Sequence, residues 1–579
     1  MPSRALVRSA IFSVCLTSVA LAQQVESAFR VPKPAEQVLA AHQAAMNLVE
    51  EALAGTGSLT LPANRLAIEL RAFPIVWTPS GARGRALVQQ MVGDFAQAAN
   101  VSKDPDQNPQ YVLNALRNQR IGIARGIAGN DAELALLFLS ATRPYLDDDT
   151  DDEEIVMELA AQIALHDPRQ ALQLAEQQLR EGDDLPQSMV GLLEEVQRND
   201  AQAGTQLFRD IVDYLKQQNL AEDTESLSFA ATLLGSQFTP QTENGEHAVQ
   251  LRALAETVAT AALSSNIMKN QPYVLNDAMG ALDALVPAKA AALHPRGGAT
   301  AYSVQTSLWD RINQAGSSGD SNKTLSLVLQ APENLRPQLL QQAAMGFANS
   351  GDLEHARQLA DRLEPWQRST VMQQAIRCAA LAAGDRADFV SARQLASQIT
   401  DEDSRASLLS DLSIFANGKG KPRIAEEMLG EATALVVNRS ASTSAFDAQL
   451  RVARAYLRVK PAQAVPLLER SASQVEQALS AAAQLDGFLP DRHSFEGTEL
   501  VLNEGFLHSS LLEPYATAVA ELAVLDLPAA RILANRLPLP EARLMTEVFV
   551  AAGVLNRKDQ AQADSNPRAG IQRWLNDAR

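Results

Sequence analysis

Residues 356–363 read ARQLADRL and residues 392–399 read ARQLASQI, nearly the same helical phrase with its start displaced by 36 residues. The residues around the first copy explain it. In QLLQQAAMGFANSGDLEHARQLADRLEP, Leu339, Leu340, Ala343, Ala344, Phe347 and Ala348 recur at helical spacing, Ser350-Gly351-Asp352 supply stop, turn and N-cap, and Leu353, Ala356, Leu359, Ala360 and Leu363 line a second helix. The pattern predicts a helical hairpin. Alanines 356 and 360 leave little side chain between its two helices, which can approach closely, while the leucines fill the gap to the next pair.

The next unit repeats the logic, with a helix through Val371, Ala375, Cys378 and Ala379 and a turn expected at Ala383-Gly384-Asp385, 33 residues from Gly351 to Gly384. A third runs LLSDLSIFANGKGKPRIAEEML, and looser copies stand at AYLRVKPAQAVPLLER, ELAVLDLPAARILANRL and QIALHDPRQALQLAEQQL. Pro461 and Pro168 fit the first turn of a second helix, where a missing N–H costs nothing, and Ala464 and Ala171 follow. A period in the low to middle thirties with two helices per unit is a solenoid signature.

Gly351-Asp352 followed by Ala356, with Phe347 four residues before the turn, resembles the tetratricopeptide (TPR) repeat. The chain departs from that pattern at Leu340, Ala344, Leu363 and Arg368, where the family favours tryptophan, glycine, alanine and proline, and Ala380 replaces the aromatic in the second copy. The likeness covers residues 333–440, and more loosely 150–182 and 441–555. It implies an all-α fold, an α-solenoid of stacked hairpins wound as a right-handed superhelix, and protein binding rather than catalysis.

Composition agrees with helices. Alanine and leucine dominate, aromatics are 5%, hydrophobic residues 46% and charged residues 20%, a balance that favours helix over the β-branched and aromatic surfaces of sheets. At 579 residues the chain suits several domains or one repeat array growing along an axis. The expected division is a signal peptide at 1–22, an N-terminal helical region at 23–145, helical hairpins at 146–293, a Gly/Ser-rich connector with one short helix around Trp309 at 294–322, TPR-like repeats at 323–555, and a polar linker with a terminal helix containing Trp574 at 556–579. LDGFLPDRHSFEGT at 485–498 interrupts the repeats as a loop, the kind of segment that often carries function.

The signal peptide rests on Arg4 and Arg8 before an apolar run, then small residues at Ala20 and Ala22. Its removal takes the formal charge from −18 to −20, which disfavours nucleic acid and anionic membrane as partners. Export to the periplasm or the medium is expected, with no integral span after cleavage. Cys378 then remains as one thiol, read as a small core residue.

The loudest local signal is DDDTDDEEIVME at 147–158. Asp147, Asp149, Asp151 and Glu158 match a calcium-loop pattern, but Asp152 stands where the sharp bend needs glycine. The preferred reading is a helix capped by Thr150, with Glu153 closing a capping box. The histidines, at 42, 166, 247, 294, 355, 493 and 508, form no HExxH and no pair at ligand spacing. Glu504 and His508, and Asp491, His493 and Glu496, are local groupings without a third clear ligand or a nucleophile. Arginines recur at 357 and 368, 393 and 405, and 531 and 543; the preferred reading is that they bridge helices rather than line a carboxylate groove.

No catalytic, cofactor-binding or metal residue is therefore assigned, and no cofactor is implied. The expectation is an exported, non-enzymatic scaffold binding an unidentified protein or peptide. The alternative is an exported enzyme on a helical scaffold, a polysaccharide-active α/α toroid or a lytic-type hydrolase or lyase. That chemistry needs aromatic stacking and paired carboxylates, and the chain has four tryptophans and seven tyrosines.

Overall fold

The structure, a computed structural model, describes residues 34–555 apart from 102–108, 147–151, 182–184, 239–245, 266–270, 294–310, 313–314, 316–320, 332, 334–335, 350, 438–441, 487–493 and 503–506. The signal peptide and the helices expected around Trp309 and Trp574 lie outside the described residues. The described chain is all-α apart from one two-stranded ribbon.

The N-terminal half contains α1 (Pro34–Gly55), α2 (Pro62–Trp77), α3 (Gly81–Val101), α4 (Pro109–Ala128), α5 (Ala132–Thr142), α6 (Glu153–Ile163), α7 (Pro168–Glu181), α8 (Ser188–Asn199), α9 (Ala201–Leu215), α10 (Thr224–Gln237), α11 (Glu246–Ser264), α12 (Met279–Leu285) and α13 (Pro287–Leu293). The C-terminal half begins with α14 (Ser321–Gln330), α15 (Arg336–Asn349), α16 (Leu353–Ala360), α17 (Pro365–Asp385), α18 (Phe389–Ala396), α19 (Glu402–Gly418) and α20 (Pro422–Val436). It continues through α21 (Thr443–Val459), α22 (Ala464–Leu485), the ribbon β1 (Phe495–Glu496) and β2 (Glu499–Leu500), α23 (Glu513–Ala523), α24 (Leu527–Ala534) and α25 (Pro540–Leu555).

The founding hairpin is α15–α16. Its turn is a Schellman motif, in which Gly351 at φ +77° donates to Ala348 O and Asp352 N donates to Phe347 O. Asp352 then caps α16 by accepting from His355 N, and Ala356 and Ala360 are buried against α15. The same motif closes α19, with Gly420 at φ +71° and Lys421 N reaching Ala416 O.

The intervening unit corrects the sequence reading. Helix α17 runs through Ala383, Gly384 and Asp385, and the turn falls three residues later, where Ala387 at φ +62° donates to Gly384 O and Asp388 N to Ala383 O. Asp388 caps α18 as Asp352 caps α16. The repeat from Gly351 is therefore to Ala387, the same 36-residue displacement as the quoted phrase. Gly384 has a different reason to be small: a Cβ there would lie 2.9 Å from Leu412 Cδ2, where α17 and α19 approach. Left-handed backbone strains an alanine, so Ala387→Gly is expected to stabilise by up to about 1 kcal/mol in denaturant unfolding.

Successive hairpins stack, each first helix on the next first helix and each second helix under the following unit. The result is an α-solenoid, but its order in space differs from its order in sequence. Helix α25 pairs with α1, and both meet α2, so one unit of the stack is built from the two ends of the described chain. The buried residues show the same rearrangement. A central core joins Ala45–Leu159 to Ile376–Val554. A second core lies within Met157–Leu293 and a third within Ile312–Ala375. The middle of the sequence thus occupies the two ends of the array, contrary to an array growing from N- to C-terminus. Among the described residues no helix is long and apolar enough to cross a membrane.

The loop at 485–498 is in part structured: Phe495 and Glu496 pair with Leu500 and Glu499 around Gly497 at φ +63°.

Candidate functional site: charge networks across the repeats

Several neighbouring helices are tied by opposite charges about one repeat apart. Arg83 pairs with Glu50, Arg125 with Glu158, Lys289 with Glu256, Arg377 with Asp411 and Lys460 with Glu426, each 33 or 34 positions apart. One repeat of sequence is one step of the stack, so these positions face each other on neighbouring helices. Most are partly exposed, and each pair contributes on the order of 0–1 kcal/mol.

On the first helices of the C-terminal units the charges form a ladder. Arg377 of α17 holds Asp411 of α19 at 2.7 Å, and Arg454 of α21 donates through Nε to Glu521 of α23 at 2.8 Å. Arg451 pairs with Asp447 on α21 at 2.9 Å. Burial pushes the Asp411 carboxyl above its ordinary value, although Arg377, Arg451 and Arg454 pull the other way. Burial lowers the Arg454 guanidinium, but Glu521, Asp447 and Asp411 outweigh it and leave its pKa raised. Three cations therefore alternate with three anions across four helices. Such a row orders the units.

A second network lies inside the N-terminal units. Glu69 of α2 is buried, accepts from Gln90 Nε2 at 2.5 Å and lies near Asp94 of α3. Asp94 is held by Arg65 at 2.6 Å. Burial first, and Asp94 second, push the Glu69 carboxyl up to about 9. Glu69 therefore carries the proton at neutral pH.

The proton on Glu69 has a stability consequence. Between its ordinary value near 4.5 and about 9, the folded chain holds a proton that the unfolded chain has released, so this contribution to stability falls as pH rises through that window. Glu69→Gln reproduces the protonated shape without the cost. It is expected to stabilise by on the order of 2 kcal/mol at pH 8 and to make little difference near pH 4.5, in paired denaturation curves.

The sequence candidates separate as follows. Thr150 and the acids before Asp152 lie outside the described residues, and α6 starts at Glu153 with Asp152, not Thr150, in the N-cap position. The Asp152 side chain makes no cap; its carboxylate grips Arg120 instead, and Glu158 is taken by Arg125. The loop grouping of Asp491 and His493, together with Glu504 and His294, lies outside the described residues. His355 binds Asp352 at 2.6 Å and stacks near Phe347, His247 lies against Phe208, and burial lowers the pKa of both His247 and His508. Among the described residues no group of three His, Cys, Asp or Glu is placed to hold a metal ion.

Of the recurrent arginines, Arg393 bridges α18 to Glu427 and Glu431 of α20, Arg531 bridges α24 to Glu51 of α1, and Arg368 donates to the last carbonyls of α16 at Ala360 and Asp361. Cys378 is half-buried, and burial pushes its thiol up, away from the reactive thiolate. Sequence reasoning missed the Glu69–Asp94 pair, which has no motif, and the repeat-spaced ion pairs, which do have a signal in opposite charges recurring at 33 or 34.

No known family model matches the chain, and no curated protein matches it. Among solved structures the chain is similar to a "Circular tandem repeat protein with novel repeat topology and enhanced subunit contact surfaces", at 14% identity and a TM-score of 0.15, over 91% of this chain and 100% of that one.

Proposed function

We propose that this protein is an exported, non-enzymatic helical-repeat scaffold of TPR-like type whose stacked surface docks a protein or peptide. The observation that supports this most directly is the pairing of charges between neighbouring helices. Arg65 is paired with Asp94, Arg377 with Asp411 and Arg454 with Glu521. Recognition then falls to shape and to exposed apolar side chains. Trp366, 67% exposed in the first turn of α17, is the residue type that most often anchors an interface. Export rests on the N-terminal pattern of Arg4, Arg8, Ala20 and Ala22, and Gln23 is its expected first mature residue.

The test is capture from the exported fraction by the chain beginning at Gln23, beside a Trp366→Ala variant of unchanged helical circular dichroism. A defined partner retained by the first and weakened tenfold or more in the second supports the scaffold. Capture indifferent to the substitution, together with release of fragments from a polysaccharide, would overturn it in favour of the enzyme.

A further inference from the structure

The unit shared by α1 and α25 is held by more than packing. Helix α1 buries Ala45, Leu48, Val49, Ala52 and Leu53, and α25 is buried along most of its length. Beside them, the ribbon after α22 reaches across to the start of α2. Glu499 of β2 accepts from Thr60 N at 2.5 Å, Thr60 Oγ1 at 2.7 Å, Leu61 N at 3.1 Å and Asn64 Nδ2 at 3.2 Å. A carboxylate on the free N–H groups that open a helix is favoured by both hydrogen bonding and the helix dipole.

Asn64, fully buried, uses both ends of its amide on the same segment: it donates to Leu500 O at 2.8 Å and accepts from Leu502 N at 2.9 Å. Leu500 N is taken by Glu541 of α25 at 2.7 Å. Arg71 of α2 lies 4.0 Å over the Phe549 ring of α25, and Arg531 reaches Glu51. These contacts fix one register and no other.

We infer that this joint is an interaction surface in its own right, through which the N-terminal half recognises residues 495–555 tightly enough to hold the two halves together without the peptide connection at 294–310. The two outer cores each belong to one half, and the central core is the one that joins both. A buried side chain satisfied on both of its polar atoms by the opposite half is what a specific interface contains and a merely tethered contact does not need. Glu499 fits the same role. Burial alone would raise its carboxyl, but the hydrogen bonds from Thr60, Leu61 and Asn64 hold it below its ordinary value, so it stays an anion at neutral pH.

The experiment cuts the full chain at a protease site introduced between residues 301 and 307. The halves are expected to elute together at micromolar concentration with the uncut helical spectrum, and to separate in denaturant. Glu499→Ala and Asn64→Ala should each weaken their association at least tenfold, while Glu256→Ala, which removes the partner of Lys289 in an outer unit, should not. Halves that separate natively, or that respond equally to all three substitutions, overturn the inference. Should the cut chain precipitate, hydrogen exchange in the uncut chain decides. Slow amides at Thr60, Leu61, Leu500 and Leu502 that quicken together in Glu499→Ala support the joint, and fast exchange at all four in the parent chain overturns it.

Discussion

Asp152→Ala is expected to destabilise the fold by about 3–5 kcal/mol, because it leaves a guanidinium buried without its counter-charge. Arg120 of α4 is 1% exposed. Its Nε donates to Thr142 Oγ1 at 2.7 Å, Nη2 donates to Leu139 O and to Asp152 Oδ2 at 2.8 Å, and Nη1 donates to Asp152 Oδ1. One side chain thus ties the end of α5 to the start of α6. The bidentate fork matches the carboxylate, so Asp152→Asn, which keeps the shape but loses the charge and one acceptor, should fall between parent and alanine. Urea unfolding followed by circular dichroism reads the loss, and a change under 1 kcal/mol would show that the pair is solvated.

The second large effect is expected at Gly553. A Cβ there would stand 2.4 Å from the Ala520 carbonyl oxygen and 2.9 Å from its carbon, both backbone atoms of α23. Neither can rotate away, so α23 and α25 must part. Gly553→Val should cost about 3 kcal/mol or more, at the upper end of overpacking effects. Gly430→Ala is the internal control, since it lies exposed in α20 with nothing within 4 Å of the added atom. Alanine is the better helix former, and there the sign should reverse by roughly 0.5–1 kcal/mol. The same assay on both variants separates close approach from propensity.

Much of the repeat architecture could be read from particular residues. Phe347, Gly351, Asp352 and Ala356 each do in the fold what their types suggest: packing, left-handed turn, cap and close contact. The misplacement of the following turn also has a physical cause. Glycine is the usual left-handed residue, and Gly384 stood three positions from the true turn; that turn uses Ala387, while the glycine serves helix approach. Likewise the acid-rich stretch suggests a cap, with Thr150 as the expected residue, where Asp152 takes the N-cap position. Nothing local shows that Arg120, 32 positions earlier, has a stronger claim on its carboxylate. The pairing of α1 with α25 was beyond periodicity altogether, because a period reports neighbours in sequence and this unit has none.

That composite unit bears on the time course of folding. Most units close a loop of about one repeat, whereas Thr60 and Glu499 are 439 positions apart. By the logarithmic dependence of closure entropy on length, bringing those ends together from an open chain costs roughly 2 kcal/mol more than closing a single repeat. Synthesis at ~5–20 residues per second also separates the two halves of the joint by roughly 20–90 s. Throughout that interval the apolar side of α1, with Leu48, Val49 and Leu53, lacks the part of its native cover that α25 supplies. The nascent chain therefore carries a sticky flank until its last helices are made, and its final consolidation waits on the slowest, least local contact it forms.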